Sequence, residues 1–269
     1  YGRLPRNGSY PFVASLDHLG PFARSARDLA LSFDALQGFD ARDPACVDRA
    51  ALPTLATLAD GVDGLRIATL GGYFDEHAGA DARAAVAKVA AALGVTRSVE
   101  LPEVARARAA AFIISNAEGG ALHLPDLRTR AEDFEPLSRD RFLAGALLPA
   151  AWLTQAQRVR RWFALRAAEL FRDVDVLLAP ATPCVAQSLG AETITVNGRV
   201  LPARPSYGLL TQPISCIGLP VCAVPVWGCH PGLPIGVQVI AAPWREDLVL
   251  RVAQRLQHLG VVHAPVAAL

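Results

Sequence analysis

The side chains able to do chemistry are few, and they do not group into any common metal or nucleophile motif. Six histidines, at positions 18, 77, 123, 230, 258 and 263, form no HExxH and no paired ligand spacing, so no zinc site of that type is written in the chain. Five cysteines, at 46, 184, 216, 222 and 229, are odd in number and include no CxxC. That speaks against a disulfide framework or a thiolate zinc site and for a reducing compartment. Cys216 and Cys222 stand among apolar neighbours and read as small buried hydrophobes. No GxSxG is present, so the serine-hydrolase elbow is absent, and the glycines at Gly71 and Gly232 lack phosphate-loop offsets and read as turns. Of 26 basic residues only Lys88 is a lysine. It sits in an alanine-rich helical stretch near Asp81 and Arg83 and reads as an exposed, solubilising residue. A lysine base would therefore be Lys88 or lie outside this sequence.

The elements that must position these residues alternate between strand and helix. Ser25 precedes Asp28 at capping-box spacing, and Leu29, Phe33 and Leu36 then share a helical face, so Ser25 reads as a cap. Residues 65–74 read as a strand entering a Gly-Gly turn, 79–93 as a helix ending at Gly94, and a second strand starts at Val95. From Pro102 to Asp173 the pattern is mostly helical, with breaks near 119–124 and at Pro136. Its last part, 151–171, is amphipathic, with Trp152, Val159, Phe163 and Leu170 as core candidates. Strands follow at 173–180, on both sides of Asn197-Gly198, at 221–226 and at 235–241, before a closing helix from about Glu246 to His258. No repeat and no linker divides the 269 residues, which implies one α/β unit.

Composition narrows the function classes. With 52% apolar and 19% charged residues the chain is globular, and a net charge of +1 supplies no field toward nucleic acid or an anionic membrane. The arginines at 158, 160, 161 and 166 read as a solvated helix face. No apolar run is long enough to span a bilayer, and YGRLPRNGSYPF lacks a signal-type apolar core, so a cytoplasmic location is expected. The absence of methionine implies that the chain opens inside a longer polypeptide, is processed, or lacks methionines that were modified.

Longer blocks carry a resemblance. SLDHLGPFARSARDLALSFDALQGFDARD (Ser15–Asp43), EPLSRDRFLAGALLPAAWLTQAQRVR (Glu135–Arg160), DVLLAPATP (Asp175–Pro183), and TQPISCIGLPVCAVPV with GLPIGVQVI (Thr211–Ile240) resemble, in order, blocks of the amidase signature family. HLGPFARS, QGFDARDP and RDRFLAGALLPA are most similar to the subgroup that hydrolyses 1-carboxybiuret in cyanuric acid degradation. The resemblance implies an α/β amidase signature fold, a mixed central sheet flanked by helices, with residues 1–269 as the C-terminal portion of one such domain. It implies carboxamide hydrolysis through a serine, a second serine in a cis peptide and a lysine, all upstream of the GRLP loop near Tyr1. No GGSSGG-like stretch occurs here, so no catalytic residue is assigned within the chain.

What this segment is expected to supply is a wall of the substrate pocket. His123 and either Arg128 or Arg130 are candidates, because relatives place an arginine in this region on a substrate carboxylate, and Gln212 falls where relatives place a polar pocket residue. Asp17 and Arg24 read as scaffold about Gly20-Pro21. No cofactor or metal is implied. The expected partners are a small-molecule amide, further copies of the chain and a small helical accessory subunit, with no membrane and no direct nucleic-acid contact. The apolar helix face from Ala105 to Ile114, with Phe112, either meets that subunit or packs on its own chain. The competing readings are the amidase subunit of a glutamyl/aspartyl-tRNA amidotransferase and a non-catalytic assembly protein.

Overall fold

The computed structural model describes residues 1–266. In chain order the helices are α1 (Ala26–Leu36), α2 (Thr54–Thr57), α3 (Tyr73–His77), α4 (Ala80–Ala92), α5 (Val104–Arg130), α6 (Pro136–Ala146), α7 (Ala150–Leu170), α8 (Ala203–Ser206), α9 (Gln212–Cys216) and α10 (Glu246–His258). The strands are β1 (Ile67–Leu70), β2 (Ser98–Val99), β3 (Val176–Pro180), β4 (Thr193–Val196), β5 (Arg199–Pro202), β6 (Val221–Val226) and β7 (Ile235–Ala241).

The main sheet has the order β2-β1-β3-β7-β6 and is mixed. β1 runs parallel to both β2 and β3, whereas β7 is antiparallel to β3 and to β6, with Leu178 opposite Val239 and Val224 opposite Val237. Every residue of β3 is buried, as a continuous apolar run requires when both faces of a strand are covered. α4 packs against β3 and β7 through the buried Ala82, Ala85, Val86 and Val89, whose small side chains let the helix lie close. α10 covers β6 and β7 and meets α1. β4 and β5 form a separate hairpin turning at Asn197-Gly198, both with φ in the left-handed region, as the sequence pattern predicts.

Local signals explain several ends. Ser25 Oγ accepts from the Asp28 N–H at 3.0 Å and donates to the Asp28 carboxylate at 2.8 Å, closing the first turn of α1. Phe33 is buried on that helix, but Leu36 stays half exposed. The first strand is shorter than the pattern suggests. The chain turns at Gly71-Gly72, where Gly72 has φ 58°, and Tyr73 already starts α3. The strand expected from Val95 is confined to Ser98–Val99.

The largest departure lies in the helical region. No break occurs near 119–124, because α5 continues to Arg130 with Pro125 inside it. Gly119 and Gly120 are contact residues rather than breakers. A Cβ on Gly119 would stand 2.4 Å from the Phe142 ring, and one on Gly120 would stand 2.5 Å from the Phe142 carbonyl oxygen. From the other side, a Cβ on Gly145 would reach within 1.8 Å of the Asn116 carbonyl oxygen. Three glycines thus let α5 and α6 cross with their backbones touching. On α7 the core residues are Ala156, Phe163 and Ala167, whereas Trp152 in the first turn is 56% exposed. α7 reaches α5 through a small cluster of Val13, Ala110, Ile114 and Ala156, with Val159 packed on it, so the buried stripe begins a turn after Trp152. Among the described residues no helix is long and apolar enough to cross a membrane.

The N-terminal loop is tied to the body by a buried ion pair. Arg6 donates from its backbone N and Nε to Asp43 Oδ2, at 2.8 and 3.1 Å, and from Nη2 to Oδ1 at 2.8 Å, while its Nη1 reaches the Ala14 and Asp17 carbonyls. The Arg6 hydrogen bond holds the Asp43 carboxyl far below its ordinary range. A depressed carboxyl stabilises the fold above its unfolded value near pH 4, and this contribution falls away as pH drops toward the folded value. Asp43→Asn should therefore lower stability by about 3 kcal/mol at neutral pH and flatten the loss of stability below pH ~4, read from urea unfolding at a series of pH values.

Candidate functional site

The α5–α6 crossing builds one wall of a partly open cavity of about 110 Å³. Ala111, Phe112 and Ser115 line it from α5, Arg141 from α6, Gln212, Ser215 and Cys216 from α9, and Leu16 from the N-terminal loop. α9 is held to the sheet by a buried amide. Gln238 on β7 donates from Nε2 to the Pro180 carbonyl at 2.9 Å and to the Leu210 carbonyl at 3.0 Å, fixing the chain two residues before Gln212.

Arg141 is the electrostatic feature of this cavity. Its Nε and Nη2 donate to Asn116 Oδ1 at 3.2 and 3.1 Å, Nη2 also lies 3.4 Å from Ser115 Oγ, and its guanidinium stands 5.6 Å from the centre of the Phe112 ring. Burial, with the nearby Arg204 charge, lowers its pKa from the usual arginine value, but an arginine remains charged. Among the described residues it makes no ion pair with a carboxylate. Arg108 covers Phe112 as well, at 4.8 Å, and donates to Gln212 Oε1 at 3.0 Å and to the Pro205 carbonyl at 2.8 Å. Two guanidinium groups thus flank one ring, and neutral oxygens take up their hydrogen bonds. A cavity lined by one cation, Arg141, with no direct counterion among the described residues is suited to an anionic ligand, and the planar fork of arginine suits a carboxylate.

Of the four sequence-predicted residues, Gln212 lines the cavity. His123 is 4% exposed and lies within an aromatic box, 5.7 Å from Tyr10, 5.8 Å from Phe134 and 5.0 Å from Phe142 between ring centres. It supports the α5–α6 crossing through Phe142 rather than lining the cavity. Arg128 and Arg130 are exposed in the last turn of α5, where Arg130 pairs with Asp126 at 3.0 Å. The structure brings neither to the cavity. Sequence reasoning passed over Arg141, Arg108, Phe112 and Ser115. Local charge spacing gives no signal for them: Arg141 and Arg108 have no acid three or four residues away on their helices, but neither do the exposed Arg128, Arg158 and Arg161.

Other expectations resolve directly. Phe112 faces the cavity between two arginines, and Ala107, Ala110, Ala111 and Ile114 are buried, so that face of α5 packs on its own chain. Asp17 is scaffold, accepting from the Phe12 and Val13 N–H groups at 2.8 and 2.9 Å. Arg24 is exposed, and its carbonyl accepts from Gln257 Nε2. Burial pushes the Cys216 thiol up to about 11 and Cys222 up to about 12, as expected for inert packing residues. Lys88 is exposed and donates to the Trp227 carbonyl at 2.8 Å. Arg158 and Arg161 face solvent, but Arg160 turns inward. No group of three or more potential metal ligands occurs among the described residues.

Comparison with known proteins gives a consistent result. The amidase family model matches residues 1–250. AtzE of Pseudomonas sp. (strain ADP), a 1-carboxybiuret hydrolase subunit, is 53% identical over 262 residues, which is 97% of this chain and 57% of that protein. A glutamyl-tRNA(Gln) amidotransferase subunit of Methylococcus capsulatus (strain ATCC 33009 / NCIMB 11132 / Bath) is 32% identical over 96% of this chain and 58% of its own length. An inhibitor-bound structure, described as an unexpected vestigial protein complex that reveals the evolutionary origins of an s-triazine catabolic enzyme, superposes with a TM-score of 0.96. It is 52% identical and covers 99% of this chain and 58% of its own. The chain thus spans less than three fifths of the length of these relatives.

The geometry of the wall depends on the helix crossing. Gly145→Ala must push α6 off the Asn116 carbonyl, and it should destabilise the protein by about 3 kcal/mol, measured by chemical unfolding, because overpacking against a backbone leaves no side chain free to yield.

Proposed function

The chain belongs to the amidase family, and we propose that it is the C-terminal portion of a carboxamide hydrolase acting on a small linear amide or urea-type acid such as 1-carboxybiuret. The observation that carries this reading is Arg141, a partly buried guanidinium stacked on Phe112 and without a carboxylate partner among the described residues. The substrate's carboxylate would supply the missing counterion. Gln212, oriented by Arg108, offers polar contact on the opposite wall. His123 and the pair Arg128 and Arg130 remain proposed substrate contacts in the complete protein, outside the cavity that Arg141 lines.

In this reading the upstream part of the polypeptide holds the serine nucleophile, the cis-peptide serine that relays its proton and the lysine that accepts it. The serine attacks the amide carbonyl, ammonia leaves, and water clears the acyl ester. This chain binds and orients the acid end, so that the carbonyl meets the nucleophile in a reactive geometry. Self-association, binding of a small helical subunit and a cytoplasmic location are proposed, the last in keeping with the cysteine pattern. The outward surface supports a need for further protein. Phe22 and Leu189 are fully exposed, Leu147 is 85% exposed, and the edge strand β6 shows Val221 and Ala223 to solvent.

Two outcomes test this reading. The purified parent polypeptide should release ammonia from 1-carboxybiuret or biuret, and Arg141→Ala should lower kcat/KM about a hundredfold, mainly through KM, with Arg141→Lys recovering only part. Ammonia release only from glutamine, and only with charged tRNA, would assign the protein to the transamidation class instead. Residues 1–269 expressed alone should be insoluble or melt without cooperativity, and a monomer with one sharp thermal transition would remove the claim that they are part of a larger domain.

A further inference from the structure

The inward-turned Arg160 is the one member of the α7 arginine group that the solvated-face reading does not fit. Its Nε donates to the Cys216 carbonyl at 2.6 Å, Nη2 to the Ser15 carbonyl at 2.8 Å, and Nη1 to Ser15 Oγ at 3.1 Å. Ser15 Oγ in turn donates to Glu118 Oε1 at 2.7 Å, and the Ser15 N–H donates to Glu118 Oε2 at 2.9 Å. A single hydroxyl thus accepts from the cation and passes its proton toward the anion. Gln157, one turn before Arg160 on α7, donates to the same Glu118 oxygen at 3.2 Å.

The clamp's place matters more than its strength. Leu16, adjacent to Ser15, and Cys216 itself both line the cavity, as does Ser115, one turn before Glu118 on α5. The clamp therefore joins three walls that come from distant parts of the chain, and Arg160, Ser15 and Glu118 themselves lie outside the cavity lining. We propose that Arg160 is a positioning residue, which sets the distance between the Leu16 loop and the C-terminal end of α9 and so the width of the substrate cavity, with Glu118 and the Ser15 hydroxyl as its anchor. For its kinetic consequences this inference rests on the carboxamide-hydrolase reading. The geometric claim stands apart from it. A planar guanidinium is needed because three acceptors on two segments must be met in fixed directions, which an ammonium cannot do.

The test uses the parent polypeptide and two readouts. In the first, N-ethylmaleimide labelling of the native protein is located by peptide mass mapping. Arg160→Ala should speed modification of Cys216 about tenfold and leave Cys222, buried in the main core, unchanged, with Arg160→Lys between wild type and alanine. In the second, Arg160→Ala should raise KM for the amide acid about tenfold while kcat changes less than about twofold, and added methylguanidinium should restore KM. Equal acceleration at Cys216 and Cys222, or unchanged labelling and KM, would overturn the proposal. Should Arg160→Ala fail to fold, Ser15→Ala decides. It keeps Arg160 but removes the bridging hydroxyl, and an unchanged KM in that variant would count against the clamp. A wild-type protein without amidase activity would sink the hydrolase reading while the labelling result still decides the role of Arg160.

Discussion

The cavity depends on one contact without side chains: the backbone of Gly145 on α6 against the carbonyl of Asn116 on α5. With a Cβ there, 1.8 Å from that oxygen, the helices could not approach as they do. The approach places Arg141 on α6 beside Ser115 and Asn116 on α5, so that the guanidinium has neutral acceptors within reach and an aromatic ring beneath it. The aromatic box of His123, Phe134 and Phe142 seals the far end of the same crossing. Small residues at the crossing and large ones beside it together give a rigid wall.

Arginines of the chain are held in two ways, some by carboxylates and others by neutral oxygens. Arg66, Arg42 and Arg204 are each satisfied by a carboxylate, at 2.8, 2.9 and 2.7 Å. Arg108, Arg141 and Arg160 instead meet carbonyl, amide and hydroxyl oxygens, and Glu118 is reached through Ser15 rather than directly. Neutral acceptors fix a guanidinium in place without cancelling its field. Arg141 is the charged residue that lines the cavity, and it has no carboxylate partner among the described residues. This placement of one charge is invisible to composition.

The strands and most helices were legible because their signals are local. β3 is a continuous apolar run, β7 is an apolar run interrupted by Gln238, the β4–β5 hairpin follows from Asn197-Gly198, and Ser25 caps α1 as its spacing implies. What failed was non-local. Gly119 and Gly120 look like breakers until the partner helix that needs them is present, and Arg160 looks like one more surface arginine until Ser15 and Cys216 arrive from opposite ends of the chain. The arginines named from the resemblance and the arginine that lines the cavity lie on neighbouring helices. The carboxylate-gripping role was placed on Arg128 or Arg130, on α5, while the unpaired guanidinium at the cavity, among the described residues, is Arg141 on α6. Gln212, which follows Thr211 and opens α9 within a recognisable block, does line the cavity.

The directions of the strands bear on how the chain reaches this state. β6 and β7 pair antiparallel across a short connection, which costs little loop-closure entropy, so this edge of the sheet can zip early. β1 and β3 pair in parallel, and everything from α3 to α7 must be looped out before the first of those bonds forms. The helices α5, α6 and α7 all lie in that excursion. Their ends are therefore tied to the sheet on both sides only when β3 pairs between β1 and β7, so the wall these helices build depends on the pairing of greatest sequence separation in the parallel part of the sheet.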